Sequence, residues 1–216
     1  MLITFDLETL PTNDMQVIAE ISASIKPPAN YSKQETIVKW FEENGAQAIK
    51  DAVAKTSFDG MYGRIACIGF TDDDKTVLAT SQDHSEGDAI QLFFDFVGSF
   101  DYQITFCGHN VHGFDLPFLK HRAIILGIKP PAQLLHAMSA KPWDNCIADT
   151  MLMWSSDPHK RGSMDRLCKA FGIQGKDGFD GSMVAETWPV DPQKVIEYCK
   201  DDVERTRKIY KRINFI

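Results

Sequence analysis

Two acidic side chains near the N-terminus, Asp6 and Glu8, are separated by one residue. They belong to the segment 2–8, in which apolar and polar residues alternate, and this period of two predicts a β-strand. Alternate residues of a strand project from the same face, so the two carboxylates lie about 7 Å apart there. Two like charges at that spacing are costly when partly buried unless a cation compensates them, so one interpretation of the pair is a cation site. An exposed polar face on an edge strand is the alternative interpretation.

A third carboxylate, Asp115, lies between a predicted strand that ends at Cys107 and a predicted helix that begins near Pro117. Open α/β sheets commonly build their sites at such strand-to-helix junctions. An aspartate shortly before a proline is also a common helix cap, and the two roles do not exclude each other. Asn110 lies in the same junction, where it is either a turn residue or a residue that holds the segment in place.

The last predicted helix distinguishes between two adjacent aspartates, Asp201 and Asp202. Residues at i, i+3, i+4 and i+7 spacing form an inward stripe, which comprises Val195, Cys199, Asp202, Val203, Thr206 and Tyr210. The charged side of the helix comprises Lys194, Glu197, Asp201, Glu204, Arg205 and Lys208. Asp202 is therefore expected to point inward, with Tyr198 one turn before it, whereas Asp201 is expected in solvent. An inward aspartate needs a partner, which is either a salt bridge in the core or a metal ion.

The elements that position these side chains alternate between strands and helices. Strands are predicted at 2–8, 63–70, 76–80 and 103–107, with a hairpin turn at 72–74. Helices are predicted at 36–41, 46–53, 88–100, 117–126, 148–154, 163–171 and 191–212. The last of these has a strong start signal, with Asp191 as N-cap and Pro192 at the first helical position, and Gly127 and Gly172 end two others. This order of elements predicts an α/β fold with a mixed sheet.

Length and composition indicate one domain spanning residues 1–216, in which the irregular segment 11–60 is interpreted as an insertion or an interaction surface. No apolar run approaches the ~20 residues that span a membrane, and the N-terminus lacks the features of a signal peptide. Five cysteines scattered singly predict reduced thiols and a cytoplasmic protein. A net charge of −7 argues against a protein that coats duplex nucleic acid, but it does not exclude an enzyme that acts on nucleic acid.

The segments around these carboxylates resemble the three exonuclease motifs of the DEDD superfamily of 3′–5′ exonucleases. The first motif is matched by the segment Phe5-Asp6-Leu7-Glu8-Thr9. The second motif is matched by the segment that runs from His109-Asn110 to Phe114-Asp115-Leu116-Pro117-Phe118-Leu119. The third, Tyr198-Cys199-Lys200-Asp201-Asp202-Val203, has the Tyr-x3-Asp spacing of the DEDDy branch, which includes the proofreading domains of family-B DNA polymerases. Segments 64–69 and 163–172 are similar to connecting segments of stand-alone, polymerase-B-like exonucleases, and the resemblance extends from residue 2 to residue 210.

The resemblance implies a ribonuclease-H-like fold, in which a five-stranded mixed sheet is flanked by helices. Since four strands are predicted from the sequence pattern, the fifth is expected near residues 145–149. The resemblance also implies hydrolysis of phosphodiester bonds by a two-metal-ion mechanism, with Mg²⁺ or Mn²⁺ as cofactors.

Each motif residue has an implied role in this mechanism. Asp6 would bridge both ions. Glu8 and Asp202 would complete the site that holds the attacking water, and Asp115 would hold the second ion directly or through water. Tyr198 is expected to orient that water, because a phenol with a pKa of about 10 is a poor base at pH 7.

The substrate that the resemblance implies is the single-stranded or frayed 3′ end of a nucleic acid, from which nucleoside 5′-monophosphates are released. Leu7 and Thr9 are expected to wedge the terminal base and contact its sugar, and Asn110 and Phe114 are the remaining candidate substrate contacts. Phe114 either stacks on a base or belongs to the core. DNA is favoured over RNA, although no motif reveals a contact to the 2′-position, on which that discrimination depends. A protein partner in replication or repair is a further expectation.

Other functions are compatible with parts of this pattern. A ribonuclease-H-like endonuclease or an RNA-trimming exoribonuclease would use the same kind of carboxylate cluster. A non-catalytic nucleic-acid-binding or protein-binding module is a third alternative, but degenerate members of enzyme families usually lose carboxylates, and all four are present. A 3′-end-labelled oligonucleotide separates exonuclease from endonuclease, since stepwise loss from the end favours the first and internal cuts favour the second.

Overall fold

A five-stranded mixed sheet forms the centre of the computed structural model, which describes residues 1–71, 76–80, 85–176 and 178–216. Its strands in chain order are β1 Leu2–Leu10, β2 Arg64–Thr71, β3 Thr76–Thr80, β4 Thr105–Gly108 and β5 Ile147–Asp149. Across the sheet the order is β3-β2-β1-β4-β5, with β1 antiparallel to β2 and parallel to β4. The α/β fold with a mixed sheet is confirmed, and β5 lies where the fifth strand is expected. The predicted turn at 72–74 lies outside the described residues.

The helices refine the predicted bounds. Within the described ranges they are α1 Met15–Ser24, α2 Gln34–Lys55, α3 Glu86–Gly98, α4 Asp115–Leu126, α5 Ala132–Ala137, α6 Thr150–Trp154, α7 Met164–Phe171, α8 Val184–Thr187 and α9 Pro192–Ile213. The prediction of separate helices at 36–41 and 46–53 is wrong. α2 runs unbroken through Gly45, because one glycine costs a helix only about 1 kcal/mol relative to alanine. None of the helices in these ranges is long and apolar enough to cross a membrane.

The chain between 147 and 154 holds a strand and a short helix, so the single helix predicted for 148–154 is wrong in its first turn. Ile147–Asp149 extend the sheet by pairing with β4, and α6 begins only at Thr150. A strand of three residues is too short to show a period of two, which is why the sequence pattern misses it. By contrast, the glycines that end α4 and α7 and the Asp-Pro start of α9 are confirmed.

The two faces of β1 have different surroundings, as its alternation predicts. Ile3, Phe5 and Leu7 are buried in the main apolar core, where the Phe5 ring centroid lies 5.3 Å from that of Phe93 on α3. Burying a side chain of this size stabilises a fold by about 1.5–3 kcal/mol, which holds the strand in this orientation. The polar residues of β1 therefore face the opposite side, where α9 packs on the sheet.

Close packing of α9 on the sheet depends on Gly69 in β2. A Cβ atom at this position would lie 2.9 Å from Val203 Cγ2 and 3.0 Å from Cys199 Sγ, so a larger residue would push α9 outward. Gly69 is also the residue that pairs with Asp6 across β1 and β2. The missing side chain therefore brings the last helix up to the strand that carries the first carboxylate.

The segment 11–60 forms a hairpin of α1 and α2 that adds little to the core, since α1 contains no buried residue and α2 buries a single glycine. The returning chain reaches the sheet through a 3₁₀ turn, Thr56–Phe58. Thr9 Oγ1, near the end of β1, donates a hydrogen bond to the carbonyl oxygen of Ser57 in that turn at 2.7 Å. The hairpin thus begins and ends beside the same end of β1.

Candidate active site

A cleft of ≈ 270 Å³ lies beside the C-terminal half of β1, bordered by α4, α9 and the 3₁₀ turn. The structure brings every predicted catalytic residue to its wall, namely Asp6, Glu8, Asp115, Tyr198 and Asp202. The predicted substrate contacts line the same cleft, namely Leu7, Thr9, Asn110 and Phe114. Ser57, Phe58, His109, Gly181 and Ser182 complete the lining and are not among the predicted site residues. The three motif segments, which are distant in sequence, therefore meet at one place.

Asp6 and Glu8 project from β1 toward α9, where their carboxylates and the Cys199 thiol have atoms within 4.8 Å of one another. Glu8 is 6% exposed, and Asp6 is half-buried at the cleft. Cys199 is unsuited to bind a metal at neutral pH, because a hydrogen bond with Cys67 and burial raise the pKa of its thiol well above the ordinary value. The two carboxylates are therefore the ligand pair that β1 offers to a hard cation.

Asp115 lies in the first turn of α4, and its Oδ1 accepts a hydrogen bond at 3.1 Å from the N–H of Leu7 in β1. That N–H is free to bind a side chain because β4 pairs with β1 from Leu2 to Thr4 and does not reach this part of the strand. The N-cap position belongs to Phe114, so the interpretation of Asp115 as the helix cap is wrong. The buried carboxylate is instead held against the strand that carries the first motif.

Three of the carboxylates in the cleft, Asp6, Glu8 and Asp115, have raised pKa values. Burial raises the pKa of Asp6 well above its usual range, and the charges of Asp115 and Asp202 raise it further. Burial likewise raises the pKa of Glu8, together with the charges of Asp6 and Asp202. Burial raises the pKa of Asp115 to about 7. The protein alone leaves the negative charge of this cluster incompletely compensated, and a divalent cation would relieve that imbalance.

Asp202 points into the cleft and is 4% exposed, while Asp201 is exposed, as the helix phasing predicts. Both oxygens of Asp202 have cationic partners: Oδ1 lies 2.8 Å from Arg205 Nη1, and Oδ2 lies 2.9 Å from Lys176 Nζ. The salt-bridge alternative for Asp202 is therefore realised in the structure. The expectation that Arg205 lies on the solvated side is wrong, because its guanidinium also donates to carbonyl groups at 174–175 and is buried.

Lys176 is the cationic site residue that the sequence pattern does not reveal. Its ammonium also donates to the Tyr198 hydroxyl and lies 4.6 Å from the centroid of the Tyr198 ring. Its charge lowers the pKa values of Asp6 and Glu8, opposing the larger effect of burial. The predicted loop at 174–181 has neither helical nor strand periodicity, so no local signal indicates where this lysine points.

Tyr198 presents its hydroxyl to the cleft while its ring packs against Phe179, with the centroids 4.9 Å apart and the planes at 66°. Burial raises the pKa of the Tyr198 phenol above its ordinary value, and the charges of Asp202 and Glu8 add to the effect. The phenol therefore stays protonated at neutral pH. A protonated hydroxyl can orient a water molecule by hydrogen bonding but cannot act as a base.

A buried aspartate that the sequence analysis does not single out, Asp149, holds the turn of the second motif. Its carboxylate accepts hydrogen bonds from the N–H groups of Asn110 at 3.0 Å and His112 at 3.1 Å. Asn110 itself has a left-handed backbone (φ 69), which asparagine tolerates better than most residues. Both interpretations of Asn110 therefore apply, since it is a turn residue and its backbone holds the segment in place.

The predicted substrate contacts differ in how much they present to the cleft. Leu7 is 5% exposed and its side chain belongs to the core, which leaves little of it to wedge a base. Phe114 is half-buried, with its ring between those of Phe58 and Phe118. Thr9 donates its hydroxyl proton within the protein, so its oxygen can serve a ligand only as an acceptor.

Comparison with known proteins identifies the family of this chain. Residues 61–216 match the model of a family described as a predicted 3′–5′ exonuclease related to the exonuclease domain of PolB. The chain belongs to this family. The PolB-related family match includes Asp115, Tyr198 and Asp202 and begins after the first motif. No curated protein matches the chain in sequence.

The fold of this member of the PolB-related family is also seen in solved structures. The chain is similar to the family B DNA polymerase from the hyperthermophilic archaeon Pyrobaculum calidifontis, with a TM-score of 0.59 and 16% sequence identity. The similarity covers 98% of this chain and 24% of the polymerase. The predicted ribonuclease-H-like fold is confirmed by this likeness.

Proposed function

We propose that this protein is a metal-dependent 3′–5′ exonuclease that removes nucleotides from the 3′ end of a single-stranded or frayed nucleic acid. Its products would be nucleoside 5′-monophosphates, and DNA is the favoured polymer. The observation that carries the proposal is the convergence of four carboxylates and one phenol, from β1, α4 and α9, in a single cleft. Membership of the PolB-related family supports the reaction class.

The four carboxylates would hold two divalent cations, Mg²⁺ or Mn²⁺, because these ions suit ligand sets made of oxygen atoms. Asp6 would bridge the two positions. Glu8 and Asp202 would complete the position nearer the attacking water, and Asp115 would serve the other. When bound, such ions activate water and neutralise charge on the leaving oxygen. The raised pKa values of Asp6, Glu8 and Asp115 support this assignment. In the protein alone these three groups bind protons more strongly than usual, and divalent cations would bind to the same negative charge.

The remaining polar groups of the cleft would position the reactants. Tyr198 would orient the attacking water through its hydroxyl, which stays protonated at neutral pH. The Leu7 N–H fixes one oxygen of Asp115, and Arg205 fixes one oxygen of Asp202, so neither carboxylate has to be ordered when the substrate binds. Holding reactive groups in place in advance lowers the entropic part of the barrier.

Further elements of the proposal concern the substrate and the cell. Leu7, Thr9, Asn110 and Phe114 line the cleft and would contact the terminal nucleotide, with Thr9 accepting a hydrogen bond from its sugar. The buried, unpaired thiols of all five cysteines support a cytoplasmic setting, where thiols stay reduced. A partner in replication or repair would bring the enzyme to its 3′ ends.

The direct test is degradation of a 5′-labelled single-stranded DNA oligonucleotide in Mn²⁺, with duplex DNA and single-stranded RNA of the same sequence in parallel. We expect a ladder that shortens one nucleotide at a time, release of 5′-mononucleotides and no product in EDTA. Internal cuts without a ladder would indicate an endonuclease. Binding of oligonucleotide and metal without any cleavage would indicate the non-catalytic module.

The neighbouring aspartates of α9 provide a matched control. Asp202→Asn should lower kcat by roughly 10³-fold, because it removes a metal ligand that supplies several kcal/mol of transition-state stabilisation. Asp201→Asn changes the same functional group one residue away, on the exposed side. Its amide oxygen can still accept the hydrogen bond that Asp201 receives from Arg205, so kcat should stay within about twofold. Equal activity of the two variants would refute the assignment of Asp202, and full activity of Asp6→Asn would refute the site.

A further inference from the structure

An exposed aromatic side chain, Phe58, stands at the rim of the cleft. It is 72% exposed, lines the same cleft as the four carboxylates and lies at the end of the 3₁₀ turn. Met61 and Tyr62, in the next turn of chain, are 60% and 40% exposed. Single apolar residues on a surface need no explanation, but a cluster beside a polar cleft is typical of a surface that binds a ligand.

The turn that carries Phe58 is held at several points. On its N-terminal side, Thr56 Oγ1 accepts a hydrogen bond from the N–H of Thr12 at 2.8 Å, in addition to the Thr9–Ser57 bond. On its C-terminal side, the N–H of Met61 donates to Asp59 Oδ1 at 2.9 Å. The backbone that carries Phe58 is therefore held in place before any ligand binds, which lowers the entropic cost of contact with its side chain.

A buried ion pair anchors the chain just after this turn, at Gly60, to α4. Arg122 Nη1 donates to the carbonyl of Gly60, while Nε and Nη2 of the same guanidinium each lie 2.8 Å from an oxygen of Glu86. Glu86 also accepts the N–H of Ile65 at the start of β2. Bidentate arginine–carboxylate pairs fix direction as well as distance, so the position of the turn relative to α4 is well defined.

The aromatic rings in this region form a row from the core to the cleft. Phe118 is buried, its ring centroid lies 5.6 Å from that of Phe114, and the Phe114 centroid lies 6.5 Å from that of Phe58. The Phe114 ring is therefore engaged by a neighbouring ring on each side. Leu7 packs in the core and is only 5% exposed, so Phe58 has the largest accessible apolar surface on this wall of the cleft.

We propose that Phe58 stacks on the base of the nucleotide whose phosphodiester bond is cleaved. This inference rests on the proposed exonuclease function. It adds that the enzyme recognises an unpaired base of any type at the 3′ end of its substrate. Every base has a π face, so stacking on a phenyl ring tolerates sequence but requires that the base leave its duplex partner. Phe58 lies outside the family match at 61–216, so the segment 11–60 supplies a specificity residue that the family model does not cover.

The kinetic experiment compares two oligonucleotides that differ only in the 3′-terminal residue, which carries either thymine or an abasic tetrahydrofuran. With the wild-type protein in Mn²⁺, we expect KM to be about tenfold lower for the strand that carries a base. Stacking of one base on one aromatic side chain strengthens binding by about this factor. Phe58→Ala should raise KM for that strand by about tenfold, leave KM for the abasic strand unchanged and leave kcat within about threefold. Phe58→Trp should restore the preference.

Phe215→Ala serves as the matched control, because Phe215 is 95% exposed and lines a different cavity, beside Trp154 and Phe171. It should leave both KM values unchanged. If Phe58→Ala keeps the wild-type ratio of KM between the two strands, the stacking assignment is wrong even though the exonuclease function stands.

A second readout does not depend on cleavage. The strand ends in 2-aminopurine, its last linkage is a phosphorothioate, and it is mixed with protein in Ca²⁺. Its fluorescence should change when the terminal base leaves the neighbouring base and stacks on Phe58, and Phe58→Ala should remove the change. A change that depends on Phe58 in a protein without nuclease activity would refute the proposed function and leave the stacking site in place. A change that is equal in wild-type protein and Phe58→Ala would refute the stacking site.

Discussion

Lys176 Nζ lies 2.9 Å from Asp202 Oδ2, so a lysine from an irregular loop neutralises one oxygen of a carboxylate that the third motif assigns to a metal. The lysine is 23% exposed at its side chain and the aspartate 6%, which makes the pair partly desolvated. An ammonium and a divalent cation compete for the same negative charge. The structure shows the salt bridge of Asp202, and the proposed metal ion would share this carboxylate with Lys176.

We predict that Lys176→Met raises the affinity of the cleft for Mn²⁺ by about five- to tenfold, because it removes a positive charge beside the carboxylates. The metal-free variant should also lose about 1–2 kcal/mol of unfolding free energy, discounted for the partial exposure of the lysine. Calorimetric titration with Mn²⁺ and urea denaturation in EDTA measure the two effects. Lys194→Met, which removes an exposed lysine of α9, is the control, and equal Mn²⁺ affinity in both variants would contradict the prediction.

The carboxylates also predict how the stability of the metal-free protein depends on pH. The pKa of Asp115 is raised to about 7 in the folded state, against about 3.9 in the unfolded chain. Between these values the folded state binds the extra proton, so this stabilising contribution is greatest at low pH and is lost as pH rises through 7. We expect unfolding free energy in EDTA to fall between pH 6 and pH 8.

Asp115→Asn tests the source of that dependence, since an amide stays neutral at both pH values. Urea denaturation in EDTA should give a flatter profile for the variant, and saturating Mn²⁺ should stabilise the wild-type protein more at pH 8 than at pH 6. A wild-type profile that is level, or that rises across this range, would show that the cluster is already compensated without metal.

Tyr198 is expected to orient water and not to remove its proton. Tyr198→Phe keeps the ring that packs on Phe179 and removes only the hydroxyl, so kcat should fall by about 10- to 100-fold while KM changes little. The shape of the pH–rate profile should be the same in both proteins, because a phenol with a raised pKa does not titrate near neutral pH. Loss of a pH-dependent limb in the variant would instead assign Tyr198 the role of base.

Gly69 controls how closely α9 approaches β1, so it should influence catalysis without touching the cleft. Gly69→Ala places a methyl group 2.9 Å from Val203 Cγ2, and we expect a loss of about 1–3 kcal/mol in stability and about tenfold in kcat. Val203→Ala in the same chain makes room for that methyl group and should recover much of the kcat. If the double variant is no more active than Gly69→Ala, α9 is not displaced in the way we expect.

Local sequence determined much of this protein. The period of two in 2–8 and the helical spacing of the last helix depend only on which side chains prefer the core, so they orient Asp6, Glu8 and Asp202 correctly before any tertiary contact is known. The same reasoning separates Asp202 from Asp201. The ordered motifs then identify the fold, including its fifth strand, which is too short for a periodic signal.

Tertiary structure alone decided which groups complete the site. Lys176 and Phe58 lie in segments without periodicity, and their positions depend on hydrogen bonds to partners tens of residues away. Arg205 follows the charged side of its helix in sequence but turns back to Asp202, since a long flexible side chain can reach a buried partner from a position that faces solvent. Periodicity predicts which side of a helix or strand carries the Cα–Cβ bond of a residue. The charges and carbonyl groups around that residue decide where the end of a long side chain lies.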